Sequence, residues 1–378
     1  MLIPTTRGNP VPPVTPVTNA ELKRFLLHDD IMVRESIAFY LFESWSPDDD
    51  LIPLVLEGCR LYGEESSFAT LGHACRFRFS TGAFLDAVQE LERSQPRGVE
   101  EWLSRAPLGL IQSHADLLRT VVSLNTLARI ERRRAFSGMP TSKLWRRLNA
   151  AAHRFDVQGS DREEQHELED LQEALANRET RQTVVEKVRK LDQLPGPCLK
   201  ACLVELAGTM KLHEVTRALV ERLGDPDDDV LAEAAAKSLS RLGAPSVVQQ
   251  IRAQYPDRPW DFRLFAIGAL QPIKTKNAET TLYALLEIED DPALRGRIFD
   301  ALRFHFTQEA ASRMREEIRE RSSWMLDDEL KKALYVNAVI LGRDDPEAKA
   351  WVFEDDDVAE DGILFHIPVM DLGEGPLE

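Results

Sequence analysis

FRLFAIGAL, residues 262–270, and LRGRIFDAL, residues 294–302, place an Arg second and a Leu ninth within nine residues. VRESIAFYL, residues 33–41, shares both features. The first, fifth and ninth residues of such a stretch lie on one face of a helix, and they are apolar in all three stretches. The pattern therefore predicts the same helix, with the same buried face, at least three times.

Related windows recur along the chain at an almost constant spacing. They begin at residues 33, 67, 198, 231, 262, 294 and 330. Consecutive starts lie 34 residues apart in the first group and 33, 31, 32 and 36 residues apart in the second. Further helical segments follow five of the windows at residues 51–59, 215–223, 246–254, 280–288 and 310–318. A period near 33 residues thus predicts repeated pairs of helices, each about 12 residues long.

The turns between these segments carry helix start and stop signals. An Asp directly before a Pro predicts the N-terminus of a helix, because the carboxylate caps free N–H groups and Pro is tolerated in the first turn. Three such pairs occur: Asp225-Pro226, Asp291-Pro292 and Asp345-Pro346. Gly224 and Gly243 follow helical segments, where a left-handed C-cap is expected.

An acidic turn, then a hydrophobic residue, an Arg, small residues and a closing Leu together resemble the HEAT repeat. This is the helical-pair module of HEAT and armadillo-type solenoids, and the resemblance covers roughly residues 21–92 and 194–342. Leu199 and Ala232 depart from it by replacing the Arg. The resemblance implies an all-α fold: a right-handed α-solenoid of stacked HEAT-like helical hairpins, about eight to ten of them.

The pattern divides the chain into five predicted segments. These are an extended Pro-rich arm (1–20), N-terminal HEAT-like repeats (21–92), a helical middle segment (93–193), C-terminal HEAT-like repeats (194–353) and an acidic and apolar tail (354–378). The middle segment is either a set of degenerate repeats or a helical insertion. The apolar part of the tail, 362–372, either caps the last repeat or serves as a ligand for another protein.

Charge and cysteine usage restrict the classes of function. The chain has 47 Lys and Arg against 64 Asp and Glu, a net charge of −17, which disfavours nucleic-acid binding and suits a partner protein with a basic surface. Its four cysteines are too few for a disulfide framework and indicate a reducing compartment. No signal peptide or apolar run of membrane-spanning length occurs, so we expect a soluble cytoplasmic protein without membrane insertion.

Two groups of residues carry side chains that could be catalytic or bind a metal, but both are expected to be structural. The resemblance to HEAT proteins implies that the second-place arginines Arg34, Arg263 and Arg295 form a structural Asp–Arg ladder between consecutive turns. Cys198 and Cys202 lie one helical turn apart on the predicted apolar stripe, which indicates two core thiols. No second pair of metal-ligating residues matches their spacing.

Two enzyme alternatives arise from further resemblances. The dipeptides His166-Glu167 and His213-Glu214 resemble those of deoxyhypusine hydroxylases, but that iron site needs four pairs in matching repeats. The Arg and aromatic residues of the C-terminal repeats resemble the channel lining of HEAT-like alkylpurine DNA glycosylases, although neighbouring acidic residues oppose phosphate binding. Both enzyme functions are disfavoured, and no catalytic residue, cofactor or metal is expected.

The preferred function is a non-catalytic scaffold or adaptor that holds a partner protein on the concave solenoid surface. The candidate contact residues, on or near the second helices of the repeats, are Gln249, Arg252, Tyr255, Trp260, Arg313 and Trp324. An alternative is an immunity-type or accessory inhibitor that covers a basic enzyme with acidic surface.

Overall fold

The structure, a computed structural model, describes residues 17–43, 51–62, 79–94, 99–159, 162–225, 228–320 and 327–353. Every regular element in these ranges is helical, so the predicted all-α class is confirmed. None of the described helices combines the length and apolarity that crossing a bilayer requires. The predicted arm and tail lie outside the described ranges, apart from residues 17–20.

The helices fall into three consecutive parts of the chain. The N-terminal part contains α1 (Asn19–Lys23), α2 (Ile31–Glu43), α3 (Leu51–Tyr62) and α4 (Thr81–Ser94). The middle part contains α5 (Val99–Arg105), α6 (Leu108–Ser113), α7 (Ala115–Val121), α8 (Leu124–Gly138), α9 (Thr141–Gln158), α10 (Arg162–Ala176) and α11 (Arg181–Val188). The C-terminal part contains α12 (Pro197–Thr209), α13 (Thr216–Glu221), α14 (Asp229–Leu242), α15 (Pro245–Gln254), α16 (Trp260–Leu270), α17 (Lys276–Leu286), α18 (Pro292–Leu302), α19 (Gln308–Glu320), α20 (Asp327–Ile340) and α21 (Pro346–Phe353).

Most of the predicted start and stop signals are confirmed. The helices α18 and α21 begin directly after Asp291 and Asp345, whose carboxylates accept N–H groups of the first turn. The start predicted from Asp225 was wrong by one turn, because the capping carboxylate is that of Asp228. Gly243 is a left-handed C-cap with φ 57°, whereas the one predicted at Gly224 was wrong.

The helices of the C-terminal part pack in two rows. In the first row α12 contacts α14, α14 contacts α16 and α16 contacts α18; in the second, α13 contacts α15 and α15 contacts α17. The two rows are joined by contacts such as those of α13 with α14 and of α17 with α18. A helix inside a row therefore buries its apolar side chains against the previous and the next helix of the same row.

Hydrogen bonds between neighbouring helices of a row repeat the spacing of the sequence pattern. Lys237 donates to Glu205 at 2.8 Å across 32 residues, and Ser238 donates to the carbonyl oxygen of Val204 at 2.9 Å across 34 residues. These bonds join α12 to α14. At this junction, the bonded residues are thus separated by about the spacing of the sequence windows.

The buried apolar side chains form two clusters. One extends from Phe136 to Ala348 and includes α9 to α19. The other extends from Leu22 to Ile130 and also contains five residues from near the C-terminal end: Phe304, Phe306, Val336, Ile340 and Val352. The second cluster therefore joins the two ends of the described chain.

We call this junction the closing contact. In it, α2 packs against α20 and against the turn after α18. Tyr335 donates a hydrogen bond to Asp30 at 2.7 Å across 305 residues. The rings of Phe39 and Phe304 lie 5.0 Å apart, centre to centre. The N-terminal helices consequently cover apolar surface that the C-terminal row would otherwise expose.

Substitution at Gly208 tests the packing of α12 on α14. A Cβ there would lie 2.8 Å from the Cα of Ser238, so Gly208→Ala must push the two helices apart. We expect a loss of about 1–3 kcal/mol in the free energy of unfolding, measured by chemical denaturation. The control is Gly268→Ala within α16, where a Cβ has no neighbour within 4 Å, and which should gain about 0.5–1 kcal/mol. Equal effects of the two changes would contradict the close approach.

Glu35 on α2 predicts a pH dependence of stability. Burial raises its pKa from 4.5 to about 7, although Arg34 acts in the opposite direction. Because the folded protein holds this proton more tightly, the contribution to stability is complete below pH 4.5 and is lost as the pH rises to about 7.

Glu35→Gln should therefore raise the melting temperature above pH 7 and leave it unchanged below pH 4.5. Glu316→Gln, at an exposed position of α19, is the control and should change neither value. A gain from Glu35→Gln that is the same at both pH values would refute the assignment.

Candidate functional site

Three of the predicted contact residues lie at the surface of the C-terminal part. Gln249 and Arg252 are exposed on α15, and Trp260, the first residue of α16, is 40% exposed. Arg313 on α19 is half-buried and forms ion pairs with Glu287 at 2.9 Å and with Glu309 at 3.2 Å. Its guanidinium is thus already engaged within the chain.

The prediction that Tyr255 is a contact residue was wrong. The residue is 1% exposed, and its hydroxyl donates to a carboxylate oxygen of Glu289 at 2.7 Å. Tyr255 follows the last residue of α15, keeps a helical backbone with φ −52° and ψ −47°, and lies four and eight residues after the buried Ile251 and Val247, so it continues their buried face. Trp324 lies outside the described residues.

Tyr255 belongs to a buried polar cluster with Glu289 and Arg263. One guanidinium nitrogen of Arg263 lies 2.8 and 2.9 Å from the two carboxylate oxygens of Glu289. The backbone N–H of Asp291 donates to the same carboxylate at 3.0 Å. Burial, and next the bond to Glu289, raise the pKa of Tyr255, which therefore remains a neutral donor. The cluster links the start of α16 to the turn before α18 and satisfies its own charges.

The other second-place arginines also have structural partners. Arg34 donates to the backbone carbonyl of Asp29 at 2.8 Å and places its guanidinium over the ring of Tyr62. Arg295 donates to the backbone carbonyl of Glu289 at 3.0 Å and to the carboxylate of Glu317 at 3.0 Å. The predicted Asp–Arg ladder was wrong in its partners, because backbone carbonyls and glutamates take the place of the aspartates.

A second charged cluster holds the middle helices together. On α8, Arg132 donates to the Asp170 carboxylate at 3.0 Å, and Arg129 lies 3.7 Å from it. Arg133 pairs with Glu173 at 2.7 Å and also donates to the backbone carbonyls at the end of α5. These arginines fix α8 against α5 and α10, a role that the sequence did not reveal, because their partners are 38 to 40 residues away.

The same cluster lines a cleft of about 240 Å³. Its lining residues are Leu108, Arg133, Ser137, Asp170, Glu173, Ala174, Asn177 and Arg178. Burial raises the pKa of Asp170, and this effect exceeds the opposing effect of the three arginines. Pockets for small molecules are usually larger, at roughly 300–1,000 Å³. Because the charged groups here pair with one another, the cleft has few charged side chains left to bind a ligand.

The cysteines and histidines do not form a reactive centre in the described part of the chain. Cys59, Cys198 and Cys202 are buried free thiols, which confirms the predicted core role of the last two, and Cys75 lies outside the described residues. A hydrogen bond with Cys198, together with burial, raises the pKa of Cys202, so this thiol stays protonated. Among the described residues, no three His, Cys, Asp or Glu side chains are grouped so as to hold a metal ion.

An exposed apolar surface lies directly above the Tyr255 cluster. Trp260 is 40% exposed and Ile288, just after α17, is 51% exposed. The backbone N–H of Leu294 donates to the Asp291 carboxylate at 3.1 Å and lowers its pKa, so Asp291 remains charged. Sequence analysis selected Trp260 but missed Ile288, because it placed this residue inside the helical segment 280–288, whereas α17 ends at Leu286.

No protein-family model matches this sequence, and comparison with curated proteins gives no match. The arguments for function consequently rest on the structure of the chain itself.

Two glutamates two residues apart provide a test of the buried cluster. Glu289→Ala removes the carboxylate that receives Arg263 and Tyr255, and should lower the free energy of unfolding by about 3–5 kcal/mol. Glu287→Ala removes an exposed partner of Arg313 and should cost less than about 1 kcal/mol. Urea denaturation of both variants measures the difference, and similar losses would show that the cluster contributes no more than a surface pair.

Proposed function

We propose that this chain is a non-catalytic scaffold or adaptor built as a right-handed α-solenoid of HEAT-like helical pairs. The observation that carries the proposal is the agreement between the sequence period and the separation of bonded residues where α12 meets α14. The sequence windows recur about every 33 residues, and hydrogen bonds such as Lys237 to Glu205 and Ser238 to Val204 join residues 32 and 34 positions apart. Stacked pairs of this kind create a long surface whose side chains vary without loss of the core.

The state of the buried polar groups supports binding rather than catalysis. A catalytic residue must reach its substrate, whereas Glu289 and Asp170 are buried and bonded to arginines of their own chain. The metal-dependent hydroxylase and DNA glycosylase alternatives require a metal cluster or a basic channel, and both remain disfavoured.

The proposed partner is a cytoplasmic protein with a basic surface. The net charge of −17 accelerates encounter with cationic proteins and repels polyanions. The proposed contact face comprises the exposed side of the second helices, with Gln249, Arg252 and the adjacent Trp260. Arg313 contributes to this face through its ion pairs, which hold α19 beside the end of α17.

An accessory or immunity-type inhibitor of a basic enzyme is the second candidate. The excess of acidic residues favours an inhibitor as much as a scaffold. The stoichiometry of binding distinguishes the two functions. An inhibitor binds one enzyme in a fixed ratio, while an adaptor binds several proteins.

A substitution on α15 tests the proposed face. Gln249→Arg adds bulk and positive charge at an exposed position, so it should reduce capture of the partner several-fold without changing the melting temperature. Gln158→Arg, the same change at the exposed end of α9, is the control. The measurement is affinity capture from a native lysate with quantitative mass spectrometry. Equal capture by both variants would exclude the face of α15.

A further inference from the structure

Five residues of two consecutive turns form a surface that we name the tryptophan surface. It consists of Trp260, Asp261, Ile288, Asp290 and Asp291. We propose that this surface binds a basic amphipathic segment of a partner protein, with a Lys or Arg side chain against the indole ring of Trp260. The inference rests on the proposed function, because it specifies the chemistry of one contact that the scaffold makes.

The two turns that carry the tryptophan surface are held in place before any partner binds. The Asp291 carboxylate caps α18 by accepting the N–H of Leu294 at 3.1 Å. The buried bonds of Glu289 to Tyr255 and Arg263 fix the two turns relative to each other. A preformed site of this kind loses little conformational entropy on binding.

The second argument is charge. Residues 257–263 and 287–291 contain six acidic and two basic side chains, which gives a local net charge of −4. Both basic groups are engaged: Arg258 lies 5.0 Å from the ring centre of Phe262, and Arg263 pairs with Glu289. A cation placed between Asp261 and Asp290 is therefore attracted by free carboxylates as well as by the indole face.

The third argument is the apolar part of the surface. Trp260 is 40% exposed and Ile288 51% exposed, in a protein where most large apolar side chains are buried. The adjoining Pro292 and Ala293 are also exposed. Covering Ile288 and the Trp260 ring removes apolar area from water, so the matching ligand carries an apolar side chain next to its cation.

Other occupants fit less well. Nucleic acids and anionic membranes are repelled by the same carboxylates. A second copy of this chain would bring its own net charge of −17 to the contact. A basic amphipathic peptide is the class of ligand that satisfies both the charges and the apolar side chains.

The test uses the full chain and a short fluorescein-labelled peptide of alternating Lys-Leu and Gly-Ser units, with binding measured by fluorescence anisotropy. We expect the double variant Trp260→Ala with Ile288→Ser to bind about tenfold more weakly than the unaltered protein. Asp261→Asn with Asp290→Asn should weaken binding and reduce its dependence on salt. A peptide with Glu in place of Lys should not bind.

Controls separate the surface from general attraction of a cation to an acidic protein. Val157→Ser removes an apolar side chain that is 67% exposed on α9, and Glu131→Gln removes an exposed acid on α8. Both should bind the peptide within about twofold of the unaltered protein. Trp260→Phe should retain more affinity than Trp260→Leu, because only an aromatic ring attracts a cation through its face.

Unchanged binding by the Trp260 and Ile288 variant, or equal weakening by the controls, would overturn the inference. Thermal melting confirms that each variant is folded, which is expected because the substituted side chains lie at the surface. The outcome is separable from that of the proposed function. Lysate capture that depends on Gln249 but not on Trp260 would leave the scaffold standing and remove this surface from it.

Discussion

The fold depends on contacts between helices that cannot bury their apolar faces alone. In α14, the buried residues Leu231, Ala235 and Leu239 follow a helical spacing and form one stripe, and the helix packs against both α12 and α16. Gly208 and Ser238 mark how close this approach is, since not even a methyl group fits between the two backbones. Removal of one helix pair would therefore expose the stripes of both of its neighbours, which makes the contact between pairs the unit of stability.

Buried charges fix the geometry that apolar packing leaves open. An apolar stripe tolerates small shifts, whereas the carboxylate of Glu289 must stay within bonding distance of Arg263 and Tyr255. Asp170 performs the same task for α8 and α10 through Arg132. Both clusters join segments that are distant in sequence. The buried carboxylates of both clusters are paired with arginines of the same chain, which is why the exposed turns become the functional candidates.

The sequence predicted the helices better than it predicted the contacts between distant segments. The helical class, the starts of α18 and α21 and the burial of Cys198 and Cys202 followed from local rules of periodicity and capping. The prediction for Tyr255 was wrong, since its spacing of four and eight residues from the buried Ile251 and Val247 continues the apolar stripe past the end of α15. The partners of Arg132 and Arg263 and the exposure of Ile288 were beyond prediction, since each depends on which distant segments meet in space.

The closing contact has a mechanical consequence. Rows of helical pairs usually bend easily, because each contact between neighbouring pairs permits a small rotation and the two ends move independently. Here the bond between Asp30 and Tyr335, with the contact of the Phe39 and Phe304 rings, ties the two ends of the row together. Stretching or unwinding the row must first break this link, so the two ends do not move independently. A scaffold of the proposed kind would therefore offer its partner a surface whose two ends are already joined.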